Sequence, residues 1–113
     1  DLNIWSGNDD HIVPMLSMGA KGLISVVSNL IPGPMTELTH SFLSGNLSRA
    51  KQLQLYYTPL MRVLFSQVNP IPIKAAMKLT GLDSGVLRLP LCDMDAGPLD
   101  RLKEVLSQYN LLP

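Results

Sequence analysis

Two short apolar runs near the start of the chain flank a segment with helical character. The first run, LNIWSG, covers residues 2–7, and the second, GLISVVSN, covers residues 22–29 and is rich in β-branched side chains. Between them, residues 9–18 begin with acidic side chains and are followed by a glycine, which predicts a helix. Pro14 fits that helix only if it lies in the first turn. Residues 2–29 therefore predict a strand–helix–strand unit with parallel strands and a right-handed crossover.

Helical spacing of apolar residues dominates the rest of the chain. A helix is predicted over residues 33–45, a longer one over 47–65, a short one from Pro72 to Gly81, and a last one that starts at Pro98. The inward face of the longest helix is predicted to comprise Ala50, Leu53, Tyr57, Leu60, Met61 and Leu64. That of the last helix is predicted to comprise Leu99, Leu102, Val105, Leu106 and Tyr109. A proline at position 59 predicts a kink in the longest helix.

The stretch QVNPIPIK places two prolines one residue apart, Pro70 and Pro72. A residue that precedes proline is disfavoured in the helical region of backbone space. We therefore expect Val68 to Ile71 to be extended, with Pro72 at the first position of the following helix, where the missing N–H has no consequence. Such an arm would fix the direction in which one helix leaves another.

Composition narrows the class of protein. The chain has 113 residues, of which 46% are hydrophobic and 16% charged, so it can bury one core and does not resemble a disordered protein. Its net charge is zero and its nine basic residues are scattered, which argues against a nucleic-acid or acidic-membrane partner. No apolar run approaches the roughly 20 residues needed to span a bilayer. The single cysteine, Cys92, excludes an internal disulfide and fits a reducing, cytoplasmic location.

Few residues suggest chemistry by themselves. Lys74 follows two prolines and precedes apolar residues, so it is a candidate Schiff-base nucleophile, although a first-turn lysine that extends to solvent is the favoured interpretation. His11 and His40 lack a second ligand at metal-binding spacing. Asp9 and Asp10 would point about 100° apart on a helix, so they are better explained as helix N-terminal charge than as an acid/base pair. Motifs for a hydrolase elbow or a phosphate-binding loop are absent.

Four stretches stand out as a set. They are WSGNDD at 5–10, GAKGLISVVSN at 19–29, NPIPIK at 69–74 and LRLPL at 87–91. In order and spacing they resemble the C-terminal part of the dihydrodipicolinate synthase family. The resemblance implies an α/β fold: the last two strand–helix units of a TIM (β/α)8 barrel over residues 1–45, followed by a C-terminal helical domain over 46–113. Residues 2–7 would be strand seven and 22–27 strand eight. The chain, which begins with Asp1, is then expected to be part of a longer one.

The same resemblance implies a function for the complete enzyme. It would condense pyruvate with aspartate semialdehyde to 4-hydroxy-tetrahydrodipicolinate in lysine biosynthesis, without a cofactor. By analogy with the family it would be a homo-oligomer, namely a homotetramer. Pyruvate would be held as a Schiff base on a strand-six lysine that this chain lacks, so no catalytic residue is expected here. The substrate-binding residues carried over are Ile24, through its backbone C=O beside pyruvate, and Gly7 and Asn8, at the second-substrate pocket. A lone chain, without the N-terminal barrel part, is expected to be inactive and to associate or be partly molten.

Two alternatives remain open at this point. The chain could belong to another pyruvate-dependent aldolase or lyase of the superfamily, similar to N-acetylneuraminate lyase, although the GLISVVSN and NPIPIK stretches favour the synthase. It could also be a non-catalytic helical interaction module. The apolar face that motivates this second alternative is formed by Ile12, Met15, Leu16 and Met18.

Overall fold

The computed structural model describes residues 2–113, so Asp1, the first residue of the predicted barrel part, lies outside the described residues. The chain divides into two compact units, Asp1–Thr58 and Pro59–Pro113. Within the described residues the strands and helices are β1 (Trp5–Ser6), α1 (Ile12–Ser17), β2 (Gly22–Leu23), α2 (Pro32–Leu43), α3 (Leu47–Val63), α4 (Ile71–Leu79) and α5 (Ala96–Gln108). Single turns of 3-10 helix cover Asp9–His11 and Val27–Asn29.

The two predicted strands pair side by side in the same direction. Trp5 lies opposite Gly22 and Ser6 opposite Leu23 in a parallel register. One further hydrogen bond extends the pairing at each end: the Lys21 N–H donates to the Ile4 C=O at 2.7 Å, and the Ile24 N–H donates to the Ser6 C=O at 2.9 Å. The parallel pairing predicted from the two apolar runs is therefore confirmed.

The second strand is much shorter than the β-branched run predicted. Strand pairing ends with the hydrogen bond of the Ile24 N–H, and Val27–Asn29 form a 3-10 turn in which Val27 is fully buried. The N–H groups of Val26 and Val27 donate to the side chain of Asp9, so they are not available to a strand ladder. Val27 is therefore buried in a turn and not in an extended strand, and the prediction of a strand to residue 29 is wrong.

The segment after β1 forms a helix that starts later than the acidic residues suggested. Asp9–His11 make a 3-10 turn, and α1 begins at Ile12, which places Pro14 in its first turn, where proline is tolerated. Ile12 and Leu16 are buried, whereas Met18, just beyond the helix, is 84% exposed. Only part of the predicted apolar face of this segment therefore lies in the core of the unit.

The long amphipathic helix is confirmed. Along α3 the buried apolar side chains are Ala50, Leu53, Leu60, Met61 and Val63, with Leu64 immediately after it. Gln54 is a buried polar residue within α3. Pro59 lies inside α3, which nevertheless continues to Val63, and the kink remains a prediction. In the first unit, α2 packs against α1 and against the Val27–Asn29 turn.

The predicted extended arm is wrong in the second unit. Val68 to Pro70 form a turn closed by a hydrogen bond from the Ile71 N–H to the Val68 C=O at 2.9 Å, and the Asn69–Pro70 peptide bond is cis. Ile71 begins α4, so Pro72 occupies the second helical position. Because Ile71, Pro72 and Ile73 are all buried, their packing outweighs the local preference of a residue before proline. Helix α4 packs against α5, whose predicted core residues Leu102, Val105 and Leu106 are buried. None of the helices in residues 2–113 has the length and apolar character needed to cross a membrane.

Candidate functional site

The ends of the two strands bring the three predicted substrate-binding residues to one edge of the sheet. Gly7 and Asn8 directly follow β1, and Ile24 directly follows β2. Because β1 and β2 are parallel neighbours, their carboxyl ends lie at the same edge. The hydrogen bond from the Ile24 N–H to the Ser6 C=O fixes Ile24 against the end of β1. Residues 17 positions apart in sequence thus become neighbours at the kind of edge where barrel enzymes place their sites.

This edge is exposed, and hydrogen bonds hold the backbone of the turn after β1. The Ile24 side chain is 72% exposed, and Gly7 and Asn8 are exposed as well. The Ser6 hydroxyl donates to the Asn8 C=O at 2.8 Å and accepts from the Asn8 N–H at 3.3 Å, which fixes the turn after β1. A Cβ on Gly7 would meet no atom within 4 Å, so packing inside the chain does not require a glycine there.

The side chain of Asp9 forms buried hydrogen bonds that the sequence did not predict. Its side chain is fully buried and accepts hydrogen bonds from the Ser25 hydroxyl, from the Val26 N–H at 3.0 Å and from the Val27 N–H at 3.4 Å. The carboxylate therefore bridges the turn after β1 to the segment after β2. Helix N-terminal charge, the favoured interpretation of Asp9, does not describe this contact. The local sequence carries no signal for it, because the partners are 16 to 18 residues away.

Gln54 of α3 fixes the other side of Asp9. Its side-chain NH2 donates to the Asp9 C=O at 3.2 Å, and its side-chain oxygen accepts from the Val13 N–H, also at 3.2 Å. Gln54 is buried, and among residues 2–113 every buried side-chain nitrogen and oxygen has a hydrogen-bond partner. The predicted inward face of α3 did not include Gln54, so the sequence gave no hint of these contacts.

A small cavity lies beside the segment that follows β2. Its volume is about 290 Å³ and its lining residues are Leu23, Ser25, Ser28, Met35, Thr36, Thr39 and His40. The described residues contain no group of three or more His, Cys, Asp and Glu that could hold a metal ion. His11 is an exposed residue whose ring nitrogen lies 3.8 Å from the Asp10 carboxylate.

Lys74, the residue whose position suggested a nucleophile, is held in an ion pair. Its ammonium group lies 2.6 Å from the Asp83 carboxylate, and about a quarter of each side chain is exposed. The hydrogen bond from Lys74, followed by that from the Gly85 N–H, lowers the pKa of the Asp83 carboxyl from 3.8 to about 2. A lysine engaged in this way stabilises the loop after α4. Lys74 thus lies in the first turn of α4 with a partly exposed side chain, as the favoured interpretation expected, and it is in addition paired with Asp83.

Comparison with known proteins bears on which family these residues represent. Residues 1–109 match the profile of the Dihydrodipicolinate synthetase family. The chain belongs to this family. It is 48% identical over 111 residues to the 4-hydroxy-tetrahydrodipicolinate synthase of Thermoanaerobacter sp. (strain X514), covering 98% of this chain and 37% of that protein.

Solved structures of the family have the same local fold. The crystal structure of dihydrodipicolinate synthase from Aquifex aeolicus is 40% identical, with a TM-score of 0.95 over 98% of this chain and 38% of that one. A chloride-inhibited dihydrodipicolinate synthase from Acinetobacter baumannii, complexed with pyruvate, is 30% identical, with a TM-score of 0.92 over 98% and 38% of the two chains. The chain thus corresponds to a C-terminal segment of the family and spans about 37% of the length of the curated relative. Its two parallel strands fit a part of the family's TIM barrel.

Proposed function

We propose that this chain supplies strands seven and eight of the TIM barrel of a 4-hydroxy-tetrahydrodipicolinate synthase, which condenses pyruvate with aspartate semialdehyde in lysine biosynthesis. The observation that carries the proposal is the parallel pairing of β1 with β2 in a chain of this family. That pairing puts Gly7, Asn8 and Ile24 at the carboxyl edge of neighbouring strands, where TIM-barrel enzymes bind their substrates.

Each of the three residues has a role compatible with its surroundings. Ile24 acts through its backbone C=O beside pyruvate, which fits an exposed side chain and a main chain held by the Ser6 C=O. Gly7 and Asn8 line the pocket for aspartate semialdehyde. Since a Cβ on Gly7 would touch nothing in this chain, a need for glycine at that position would come from the room that the substrate requires.

The reactive groups lie elsewhere in this proposal. The Schiff-base lysine belongs to strand six, and none of Lys21, Lys51, Lys74, Lys78 or Lys103 occupies its position. The chain contributes the wall of the pocket and is inactive alone. Residues 1–45 complete the barrel and 46–113 form the C-terminal helical domain of the family. The complete enzyme is then a cytoplasmic homo-oligomer that needs no cofactor.

The proposal can be tested by completing the barrel. The part of the Thermoanaerobacter relative that precedes the aligned segment is joined to residues 1–113 of this chain, and the product is called the fused enzyme below. We expect the fused enzyme to consume pyruvate and aspartate semialdehyde together, and the upstream part alone to be inactive. The intact relative serves as the positive control.

The second aldehyde distinguishes the synthase from a related lyase. With N-acetylmannosamine in place of aspartate semialdehyde, the fused enzyme should not consume pyruvate. A fused enzyme that folds, as judged by circular dichroism, but fails to condense pyruvate with aspartate semialdehyde would contradict the proposed function. Preference for N-acetylmannosamine would favour the lyase instead.

A further inference from the structure

We infer that Asp9 and Gln54 are positioning residues that fix the backbone around Ile24 and so orient the pocket wall beside pyruvate. This inference rests on the proposed function and deepens it, because it assigns roles to two buried residues that do not themselves line the open edge. Neither residue would touch substrate. Both act through the segment that follows β2.

The geometry holds Ile24 from two sides. On one side, the Ile24 N–H donates to the Ser6 C=O at the end of β1. On the other side, the next three residues all donate to the Asp9 carboxylate, through the hydroxyl of Ser25 and the N–H groups of Val26 and Val27. The peptide that carries the Ile24 C=O lies between these two attachments, so its orientation depends on both.

A carboxylate at position 9 matters because both of its oxygens accept hydrogen bonds. One oxygen of Asp9 takes the Ser25 hydroxyl, and the other takes the N–H groups of Val26 and Val27. An asparagine has one accepting oxygen and an NH2 group that can only donate. In an Asp9→Asn variant the oxygen can keep the two N–H donors, but the NH2 group then faces the Ser25 hydroxyl, whose O–H loses its charged acceptor and has to turn away. At best the hydroxyl then accepts a weaker neutral bond from the NH2 group in addition to the one that it already accepts from the Ser28 N–H at 2.8 Å. The substitution therefore loosens the attachment at Ser25, which is the residue next to Ile24.

Gln54 fixes the position of the Asp9 main chain. Its amide donates to the Asp9 C=O and accepts from the Val13 N–H, so it ties α3 to both the turn after β1 and the start of α1. A Gln54→Glu variant would replace the donor with a second acceptor and leave an oxygen facing the Asp9 C=O. Gln52 offers a matched control, because it is exposed on the same helix and accepts from Arg49 at 2.8 Å.

The first experiment separates positioning from mere stability in the fused enzyme. For Asp9→Asn we expect the KM for pyruvate to rise by about tenfold, the effect of losing roughly one hydrogen bond, while the KM for aspartate semialdehyde stays within about twofold. Gln54→Glu should shift the same constant in the same direction. The control variants Asp10→Asn and Gln52→Glu should leave both constants unchanged, since neither residue contacts the Ser25–Val27 segment.

A purely structural role predicts a different pattern. Loss of folded enzyme would lower kcat and leave both KM values unchanged. That pattern for Asp9→Asn and Gln54→Glu, or an unchanged KM for pyruvate in both, would overturn the inference.

The second experiment tests the attachment without any activity. Amide hydrogen exchange of Val26 and Val27 is measured in the fused enzyme and in its Asp9→Asn, Gln54→Glu and Asp10→Asn variants. We expect faster exchange at these two amides in Asp9→Asn, because they then bond to a neutral amide oxygen and no longer to a carboxylate. We also expect faster exchange in Gln54→Glu, where the support of Asp9 is lost, whereas exchange in Asp10→Asn should match that of the parent. Unchanged exchange in Asp9→Asn and Gln54→Glu would overturn the inference even if the fused enzyme were active. A fused parent enzyme that fails to condense its substrates would contradict the proposed function only.

Discussion

Two aspartates organise loops in this molecule by different physical means. Asp9, in the first unit, is fully buried, and the donors it receives are the neutral groups of Ser25, Val26 and Val27. Asp83, in the second unit, has 24% of its side chain exposed and is paired with the ammonium group of Lys74. Each carboxylate joins a loop to residues elsewhere in the chain, but only the first lies next to the candidate site.

The difference lies in what happens when the carboxylate is removed. Without Asp9, the buried Val27 N–H and the part-buried donors of Ser25 and Val26 would lose the partner that they have inside the protein. Without Asp83, water can solvate Lys74 and the backbone N–H of Gly85. A hydrogen-bonded network inside the protein is therefore expected to be far more sensitive to substitution than an ion pair at the surface.

The largest effect on stability should be the contrast between truncating Asp9 and truncating Asp83. Asp9→Ala removes the partner of one buried and two part-buried donors, so we expect the fused enzyme to lose about 3 kcal/mol of unfolding free energy. Asp83→Ala should cause a much smaller loss. Urea-induced unfolding of both variants measures the contrast, and equal losses would show that burial does not separate the two regions.

The strand pair next to Asp9 should also be destabilised when a methyl group is added to its packed face. A Cβ on Gly22 would lie 3.1 Å from Cδ1 of the Trp5 ring, closer than ordinary contact. We expect Gly22→Ala to reduce the unfolding free energy of the fused enzyme by about 1 kcal/mol, at the lower end for overpacking because Trp5 is half exposed and can shift. Gly7→Ala, whose added Cβ meets nothing in this chain, is the stability control. A loss in the control as large as that of Gly22→Ala would remove the packing argument.

The surface pair around Asp83 should report on electrostatics. Because Lys74 is the largest cause of the lowered pKa of Asp83, Lys74→Met should raise that pKa from about 2 toward its ordinary 3.8. The pair contributes stability above about pH 4, and this contribution is lost as the pH falls through about 2. Titration of the Asp83 carboxyl carbon by NMR measures both values. A pKa near 3.8 in the unsubstituted chain would show that the pair does not form.

The smallest effect is expected from shortening the side chain of Ile24 at the pocket wall. Since Ile24 is proposed to act through its backbone, Ile24→Val should leave kcat/KM of the fused enzyme within about twofold. Ile24→Pro removes the N–H that donates to the Ser6 C=O and should lower activity strongly. Steady-state rates for the two variants decide the matter, and a large loss with valine would point to a role for the side chain.

Periodicity and turn residues predicted much of the fold. The apolar runs predicted the parallel pair, and helical spacing predicted most of the buried faces of α3 and α5. Tyr57, Leu99 and Tyr109 were also predicted to face inward but are only partly buried. These features depend on which side chains avoid water, and that information is local. The extent of the second strand was not predictable, because it is limited by Asp9, a residue distant in sequence.

Local rules were insufficient where packing competes with them. The preference of a residue before proline predicted an extended Ile71, but the buried residues at the start of α4 hold it in a helix. The candidate site was not predicted from local rules, since Gly7, Asn8 and Ile24 were named from a family resemblance and not from their chemistry. Asp9 and Gln54 were found only once the contacts between distant residues were visible.

The most direct test of the central claim is to locate the lysine that binds pyruvate. The fused enzyme and the lone 113-residue chain are each treated with pyruvate and borohydride, and the labelled peptide is identified by mass spectrometry. We expect one labelled lysine in the fused enzyme, upstream of the residues of this chain, and no label on the lone chain. Stable labelling of Lys74 or of any other lysine of the 113-residue chain would contradict the account.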